Sequence, residues 1–488
     1  MGAVRARAFR AHPASAAPDD AHPDAQSQAG PAGGASSTPA CGSPAATATS
    51  ASAGRAATSA SAGRAASASS PAAAATSATS AGTLSRAAAG AGAFTLALVA
   101  VCAAVAWPHD SRIAAQKGGA TAGVDKWSWI FLGCLIGAFA FYVCGVYLIR
   151  RFGIGLVVVA ILAAAIQLAP LAAPLLFSTD AWTYWYYGRI AAVHDANPYV
   201  QTPSDFPNDP AFPYVGEKWV DTTSVYGPAF TLASEPLALA DGESADAAAW
   251  TYKTLAAVLL LGAAALAAFV ARGRRAFALA FVGWNPLLAV DFAGGGHNDV
   301  WMAGLVTGAL ALGATGKRQW AGVAWVAAVM IKWIPLIFLP LRALEARANK
   351  RQVGHLGFAA AAAVLVALAT WQYGYHWLGA LGPLARNAHD ETQFAIPHRL
   401  EQIGLPDWLA LGLAALGFAL AYLWLLREAW RGRARLGLAA GLLLLATPYL
   451  VPWYAVWVVP LAAAEEDKAA QGLALVLCAY MLRQTIPL

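Results

Sequence analysis

The sequence of 488 residues is short of charge: Asp, Glu, Lys and Arg make up only 12% of it, about half of the ~25% found in an average soluble domain. A surface of ordinary polarity cannot be built from so few charges, so water is not the only solvent of this chain. Cysteine in metal-type spacing is also lacking. Cys41, Cys102, Cys134, Cys144 and Cys478 are scattered, and four of them lie inside apolar runs, which reads as packing. No internal duplication of the kind that builds secondary transporters is visible. A secretory signal is likewise not seen, because MGAVRARAFR is followed by AHPASAAPDD and no short apolar stretch.

Hydrophobic residues are abundant instead, at 59% of the chain. Apolar runs of about 18 or more residues recur from Ala91 to the end, more than a globular core can use. In lipid the backbone must satisfy its own hydrogen bonds, so the fold class expected is all-α, a polytopic transmembrane protein of about 11–13 spans. Residues 1–86 are Ala, Ser, Thr, Gly and Pro with scattered Arg, including the near-repeat ASAGRAA at 51–57 and 60–66. That segment has little to bury and is expected to be a disordered cytoplasmic tail ahead of a membrane domain at 87–488. The net charge of +6 comes from short Lys/Arg clusters between apolar runs, a pattern of membrane orientation and not of nucleic-acid binding.

With the tail inside, the clusters at 150–151, 272–275, 317–318 and 342–353 all fall on the cytoplasmic side. The stretches 178–248, 294–299 and 376–406 then lie outside. The count holds only if the apolar run 320–341 is broken near Lys332 and Pro335, since a charge at mid-membrane and a proline in a helix interior are both costly. The run 436–464, interrupted by TPYLVPWY at 447–454, is read as a helical hairpin bent on the outer side.

Polar residues that are not span-end punctuation gather on that outer side. Asp180 follows more than twenty apolar residues and precedes Trp182, Tyr184, Trp185, Tyr186 and Tyr187. A carboxylate at such a low-dielectric edge is expected to have a raised pKa and to act as a base, the alternative being a helix N-cap. The aromatic run suits sugar rings or, alternatively, an interfacial belt. Arg189 and Lys332 are candidates for a lipid phosphate, with His398 and Arg399 in support, although Arg189 also fits a snorkelling anchor. Asp195 is a candidate partner carboxylate, and Tyr187, Tyr226, Trp453 and Tyr454 are candidate substrate contacts. His297, Asn298 and Asp299 form a polar turn after three glycines. No cofactor is called for with certainty, and a divalent metal is compatible with the sequence but not expected.

The ordered set of STD at 178–180, YYGR at 186–189, NPYV at 197–200, VYGPA at 225–229, GGGHND at 294–299, IKWIPLIFLP at 331–340 and PYLVPWY at 448–454 resembles the GT-C superfamily of membrane glycosyltransferases. Within it the sequence is most similar to bacterial polyprenol-phosphate-mannose-dependent α-(1→6)-mannosyltransferases. The resemblance covers about 90–488. It implies inverting transfer of a hexose, by likeness mannose, from a polyprenyl-phosphate donor to a glycan or glycolipid acceptor on the outer face of the cell membrane, with Asp180 as the base. The second neighbouring carboxylate that many GT-C enzymes carry is absent from STDAW. A lipid-linked sugar transporter or flippase and a non-catalytic assembly subunit are the competing readings. No nucleic-acid partner is expected.

Overall fold

The computed structural model describes residues 71–119, 123–382 and 392–486. Among the described residues the chain is all-α, and the sole β pairing is an isolated bridge between Ala114 and Leu176. Its helices in order are α1 Pro71–Ala104, α2 Lys126–Phe152, α3 Leu156–Leu168, α4 Asp180–Ala192, α5 Pro228–Asp241, α6 Ala245–Val270, α7 Arg275–Gly283, α8 Pro286–Ala289, α9 Asp299–Ala314, α10 Arg318–Ile331 and α11 Phe338–Ala348. They continue as α12 His355–Tyr373, α13 Ile396–Gln402, α14 Asp407–Trp430, α15 Leu436–Ala446, α16 Val459–Ala464 and α17 Lys468–Met481. Most of the expected tail lies outside the described residues. Its last part, from Pro71, belongs to α1, so the first helix begins before the membrane domain expected at 87–488.

Among the described residues, five helical stretches are long and apolar enough to cross a bilayer: Gly82–Ala104, Lys126–Phe152, Ala245–Val270, His355–Ala380 and Asp407–Trp430. Only 17% and 11% of the last two are buried, so apolar faces such as Leu356, Val364, Leu416 and Leu423 look outward, as lipid-facing helices do. This is a multi-pass membrane protein. The remaining apolar runs are shorter or broken.

Each break has local partners for the backbone groups it frees, which is the condition for irregular structure inside a membrane protein. Between α7 and α8 the chain bends by 51°. There the Gln167 amide donates to the carbonyls of Gly283 and Asn285 at 3.0 and 3.2 Å, while the Asn285 side chain caps the next turn. The run 320–341 is broken as expected: α10 stops at Ile331, Lys332 is extended, a 3₁₀ turn spans Ile334–Ile337, and α11 starts only at Phe338. The run 436–464 is also broken, with α15 ending at Ala446 and a 3₁₀ turn at Pro452–Trp457 leading into α16.

The stretch 178–248 is not an open loop. It folds into α4 and α5, and the motif after α4 ties it to the end of α12 and to the segment before α5. Asn197 donates to the carbonyl of Tyr373 at 2.8 Å, and the Tyr199 hydroxyl donates to the carbonyl of Tyr226 at 3.0 Å. Trp182, Tyr184, Trp185, Tyr186 and Tyr187 are all buried. The aromatic run is therefore core, and the interfacial-belt alternative does not hold.

Gly227 fixes the start of α5 against the end of α10. Its N–H donates to the Ile331 carbonyl at 3.0 Å, and a Cβ at this position would collide with the Met330 carbonyl. Lys332, the next residue, depends on that contact for its position. Gly227→Ala is expected to cost about 1–3 kcal/mol, as overpacking does. A lowered unfolding midpoint of the detergent-solubilised protein would show this, whereas an unchanged midpoint would mean that α5 and α10 separate freely.

Candidate active site

Three chain breaks and the start of one helix meet at one point. The first turn of α4 places Asp180 and Tyr184, four residues apart, on one face. The turn at 294–298 turns on Gly296, whose φ of 72° is a left-handed conformation that glycine adopts without strain, and it delivers His297, Asn298 and the first residue of α9, Asp299. The end of α10 supplies Lys332, and the 3₁₀ turn at 452–457 supplies Trp453, Tyr454 and Trp457.

Asp299 is the hub. Its Oδ1 accepts from Lys332 Nζ at 2.6 Å and from Trp457 Nε1 at 2.7 Å. The Lys332 ammonium also stands over the rings of Tyr454 and Trp457, at 5.1 and 5.7 Å from their centroids. Asp180 lies on the other side, where its Oδ2 is 3.2 Å from His297 Nδ1 and accepts a long bond from the Tyr184 hydroxyl at 3.4 Å. The Asn298 N–H donates back to that hydroxyl at 3.4 Å. His297 is fully buried and stacks on Trp453, with 3.8 Å between ring centroids and 11° between planes. Tyr226 closes the back of the site, its ring edge-on to Tyr184 at 5.0 Å.

Buried polar atoms are normally paired, and each orphan costs about 1–3 kcal/mol. Three consecutive residues carry such orphans here. Nε2 of His297, both amide atoms of Asn298 and Oδ2 of Asp299 have no hydrogen-bond partner among the described residues, and His297 Nδ1 has only the Asp180 carboxylate at 3.2 Å. That concentration falls on a turn whose three side chains are fully buried.

The carboxyl of Asp180 departs from the expectation. Burial raises its pKa, but the His297 ring, Ser178 and the Lys332 charge together outweigh burial and hold the group below the ordinary carboxylate value. It is ionised at neutral pH and is not a group of raised basicity. The cluster members that keep some exposure are Asp180, Lys332, Trp453 and Tyr454, the side chains of the first two at 13% and 17%. The accessible part of the cluster is thus a carboxylate, an ammonium and two aromatic faces.

Other expected site residues lie elsewhere. Arg189 sits nine residues along α4 from Asp180, about 13 Å by helical rise. It is buried and forms a bidentate pair with Asp209 at 2.8–3.1 Å, with His194 Nε2 on the same carboxylate at 2.6 Å. It is a structural ion pair and neither a phosphate ligand nor a snorkelling anchor. Asp195 lies beyond the end of α4, exposed and with φ 54°, about a helix length from Asp180. Tyr187 is buried, its hydroxyl donating to the Thr222 carbonyl at 2.7 Å, so it braces the wall. On α13, His398 faces Glu401 at 3.0 Å, while Arg399 donates to Gln402 at 2.6 Å and to Tyr480 at 3.4 Å. The contacts that hold the cluster together do not include either. Residues 386–391 of the same outer stretch lie outside the described residues. The described residues contain no group of three metal-ligating side chains arranged to hold an ion.

Trp457 was not singled out by the sequence. In a 3₁₀ turn, side chains three apart eclipse, and Tyr454 and Trp457 accordingly stack with centroids 4.0 Å apart. The signal was the proline-started turn at Pro452, which places residue 457 on the same face as 454.

Two curated relatives are similar to this chain over part of its length. The chain is 28% identical over 333 residues to alpha-(1->6)-mannopyranosyltransferase A of Mycobacterium tuberculosis, covering 60% of this chain and 63% of that protein. It is 28% identical over 256 residues to the protein of the same name from Corynebacterium glutamicum, covering 46% of this chain and 50% of that one. The chain thus spans less than two thirds of the relatives it matches. No solved structure matches it. The family described as "Alpha-(1->6)-mannopyranosyltransferase, N-terminal domain" matches residues 73–347, more than half of the chain and including Asp180, the 297–299 turn and Lys332, and the chain belongs to that family.

Proposed function

We propose that the protein is an inverting membrane glycosyltransferase that moves a hexose, by likeness mannose, from a polyprenyl-phosphate donor to a hydroxyl of a glycan or glycolipid on the non-cytoplasmic face of the cell membrane. The observation that carries this reading is the pairing of one reachable carboxylate, Asp180, with one reachable ammonium, Lys332, on a wall of aromatic rings. The acceptor hydroxyl is lined up against Asp180, which takes its proton as the new bond to the anomeric carbon forms. The old bond to the phosphate oxygen breaks with its electron pair. The leaving polyprenyl phosphate is weakly basic and needs no proton, so one carboxylate suffices where a soluble glycosidase needs two. Trp453 and Tyr454 present flat faces to the sugar. His297, held by its stack on Trp453, keeps Asp180 ionised and oriented. Lys332 gives one of its three N–H donors to Asp299, and the others remain for a phosphate.

Orientation is the first test. With single cysteines in a cysteine-free background, Glu243→Cys is expected to react with an impermeant reagent on intact cells, and Lys350→Cys only after permeabilisation. Labelling in the opposite sense would place the site on the cytoplasmic face and remove the lipid-donor reading.

Asp180→Asn keeps size and hydrogen bonding but not basicity, and turnover is expected to fall by about 10²–10⁴-fold, the usual worth of a positioned base. Asp195→Asn should stay near wild type. Because the Asp180 carboxyl is held below its ordinary value, the rate should show no acid limb above about pH 4. Loss of activity between pH 6 and 7 would move the proton transfer to another group.

Phosphate binding by Lys332 exists in both the ground and the transition state, so removing it raises KM more than it lowers kcat. Lys332→Ala should raise the donor KM by about tenfold or more, the scale of one charge-assisted bond. An unchanged KM with full turnover is incompatible with the role.

A further inference from the structure

A cavity lies at the opposite end of α9 and α10, about 20 Å from Lys332 by the rise of α10. It has a volume of about 980 Å³ and is walled by the end of α9, the start of α10, α11 and the 350–355 connection. Arg272, Arg318, Arg342, Lys350 and Arg351 line it, against the two carboxylates Glu345 and Glu465. Arg342 is paired with Glu345, and Arg318 reaches the Gln352 side chain. Arg272, Lys350 and Arg351 have no side-chain partner among the described residues. Glu465 offsets little of this charge. It spends its oxygens on the N–H groups of Leu436 and Gly437 at 2.8 and 2.9 Å, and burial pushes its pKa up to about 7.

The inner wall is apolar, with Trp325 from α10, Leu310 from α9, Leu339 from α11 and Phe358 from α12. Phe358 belongs to the same helix as Leu356 and Val364, which are 76% and 57% exposed on the lipid-facing side. Charge at the rim, an apolar wall and continuity with a lipid-facing helix are what an amphiphile with an anionic head requires. A soluble anion has no use for the wall, and orientation in the membrane needs loop cations but no cavity.

We propose that this cavity binds an anionic phospholipid, its phosphate held by Arg272, Lys350 and Arg351 and its chains laid against Trp325 and Phe358. Basic pockets between membrane helices take phosphate head groups in this way. The site is separate from the carboxylate cluster, so it does not depend on the donor assigned there.

The test is titration of the full-length, detergent-solubilised protein with phosphatidylglycerol, read by native mass spectrometry, with phosphatidylcholine as the neutral comparison. Phosphatidylglycerol is expected to bind at least tenfold more tightly. The triple variant Arg272→Gln/Lys350→Gln/Arg351→Gln should lose about a hundredfold, at about fivefold per cation removed. The double variant Lys350→Gln/Arg351→Gln, confined to the connecting loop, should lose about 25-fold on the same scale. A control triple, Arg151→Gln/Arg427→Gln/Lys468→Gln, removes as many basic residues from outside the cavity and should change binding less than threefold. Equal losses in the two triples would reduce the effect to general surface charge and overturn the site. Inorganic phosphate competing as well as the lipid would replace the phospholipid by a soluble anion and overturn the assignment.

Discussion

The ion pair between Lys332 and Asp299 is the constraint around which the described structure is arranged. Its Oδ1 contacts join the end of α10, the start of α9 and the 452–457 turn at a single atom. Each of these is a place where an apolar run stops being helical, and each would be costly in lipid if it faced hydrocarbon. Brought together, they satisfy one another. A buried carboxylate with its cation removed would stand uncompensated, which is why such pairs are expensive to break although they add little net stability when intact. The pair therefore locates Lys332 more than it strengthens the fold, and the remaining polar atoms of the 297–299 turn are without a hydrogen-bond partner among the described residues.

The broken helices follow from the same need to satisfy polar groups. Gln167 serves the carbonyls exposed by the bend between α7 and α8, and Lys253 donates to the carbonyls of Leu171, Ala173 and Pro174 where α3 ends. The aromatic helix α4 fills the volume between these breaks and carries Asp180 on its first turn. The buried His297 and Tyr184 hold the carboxylate on its inner side and leave its outer side accessible. For the proposed role as a base, such preorganisation matters more than a raised pKa.

Much of this is legible in the sequence, and the failures have identifiable causes. Lys332 and Pro335 signal a break because a charge and a proline are both costly inside an apolar helix. The GGGHND turn and the PYLVPWY interruption are readable on similar grounds, since glycine and proline both disfavour a continuous helix. Arg189 misleads because its partner, Asp209, lies 20 residues away across a fold that no local pattern describes. The aromatic run of α4 reads from sequence as a sugar-facing surface or an interface belt, and only packing shows that it is buried as core. His398 and Arg399 look like free cations because their acceptors, Glu401 and Gln402, sit one helical turn on. The apolar approach to Asp180 predicts a raised pKa, but apart from Ser178 the partners that lower it come from the turn before α9 and the end of α10, more than a hundred residues later.

The central claim is that a sugar leaves a lipid phosphate at this cluster. The most direct measurement is incubation of the purified, vesicle-reconstituted protein with polyprenyl-phosphate mannose labelled in the sugar and an oligomannoside acceptor, with the anomeric configuration of the product read by NMR. The account predicts label in the acceptor, in a linkage of opposite anomeric configuration to that of the donor, with unlabelled nucleotide sugar having no effect. Labelled lipid that crosses the bilayer intact without forming product, or transfer from a nucleotide sugar alone, would contradict it.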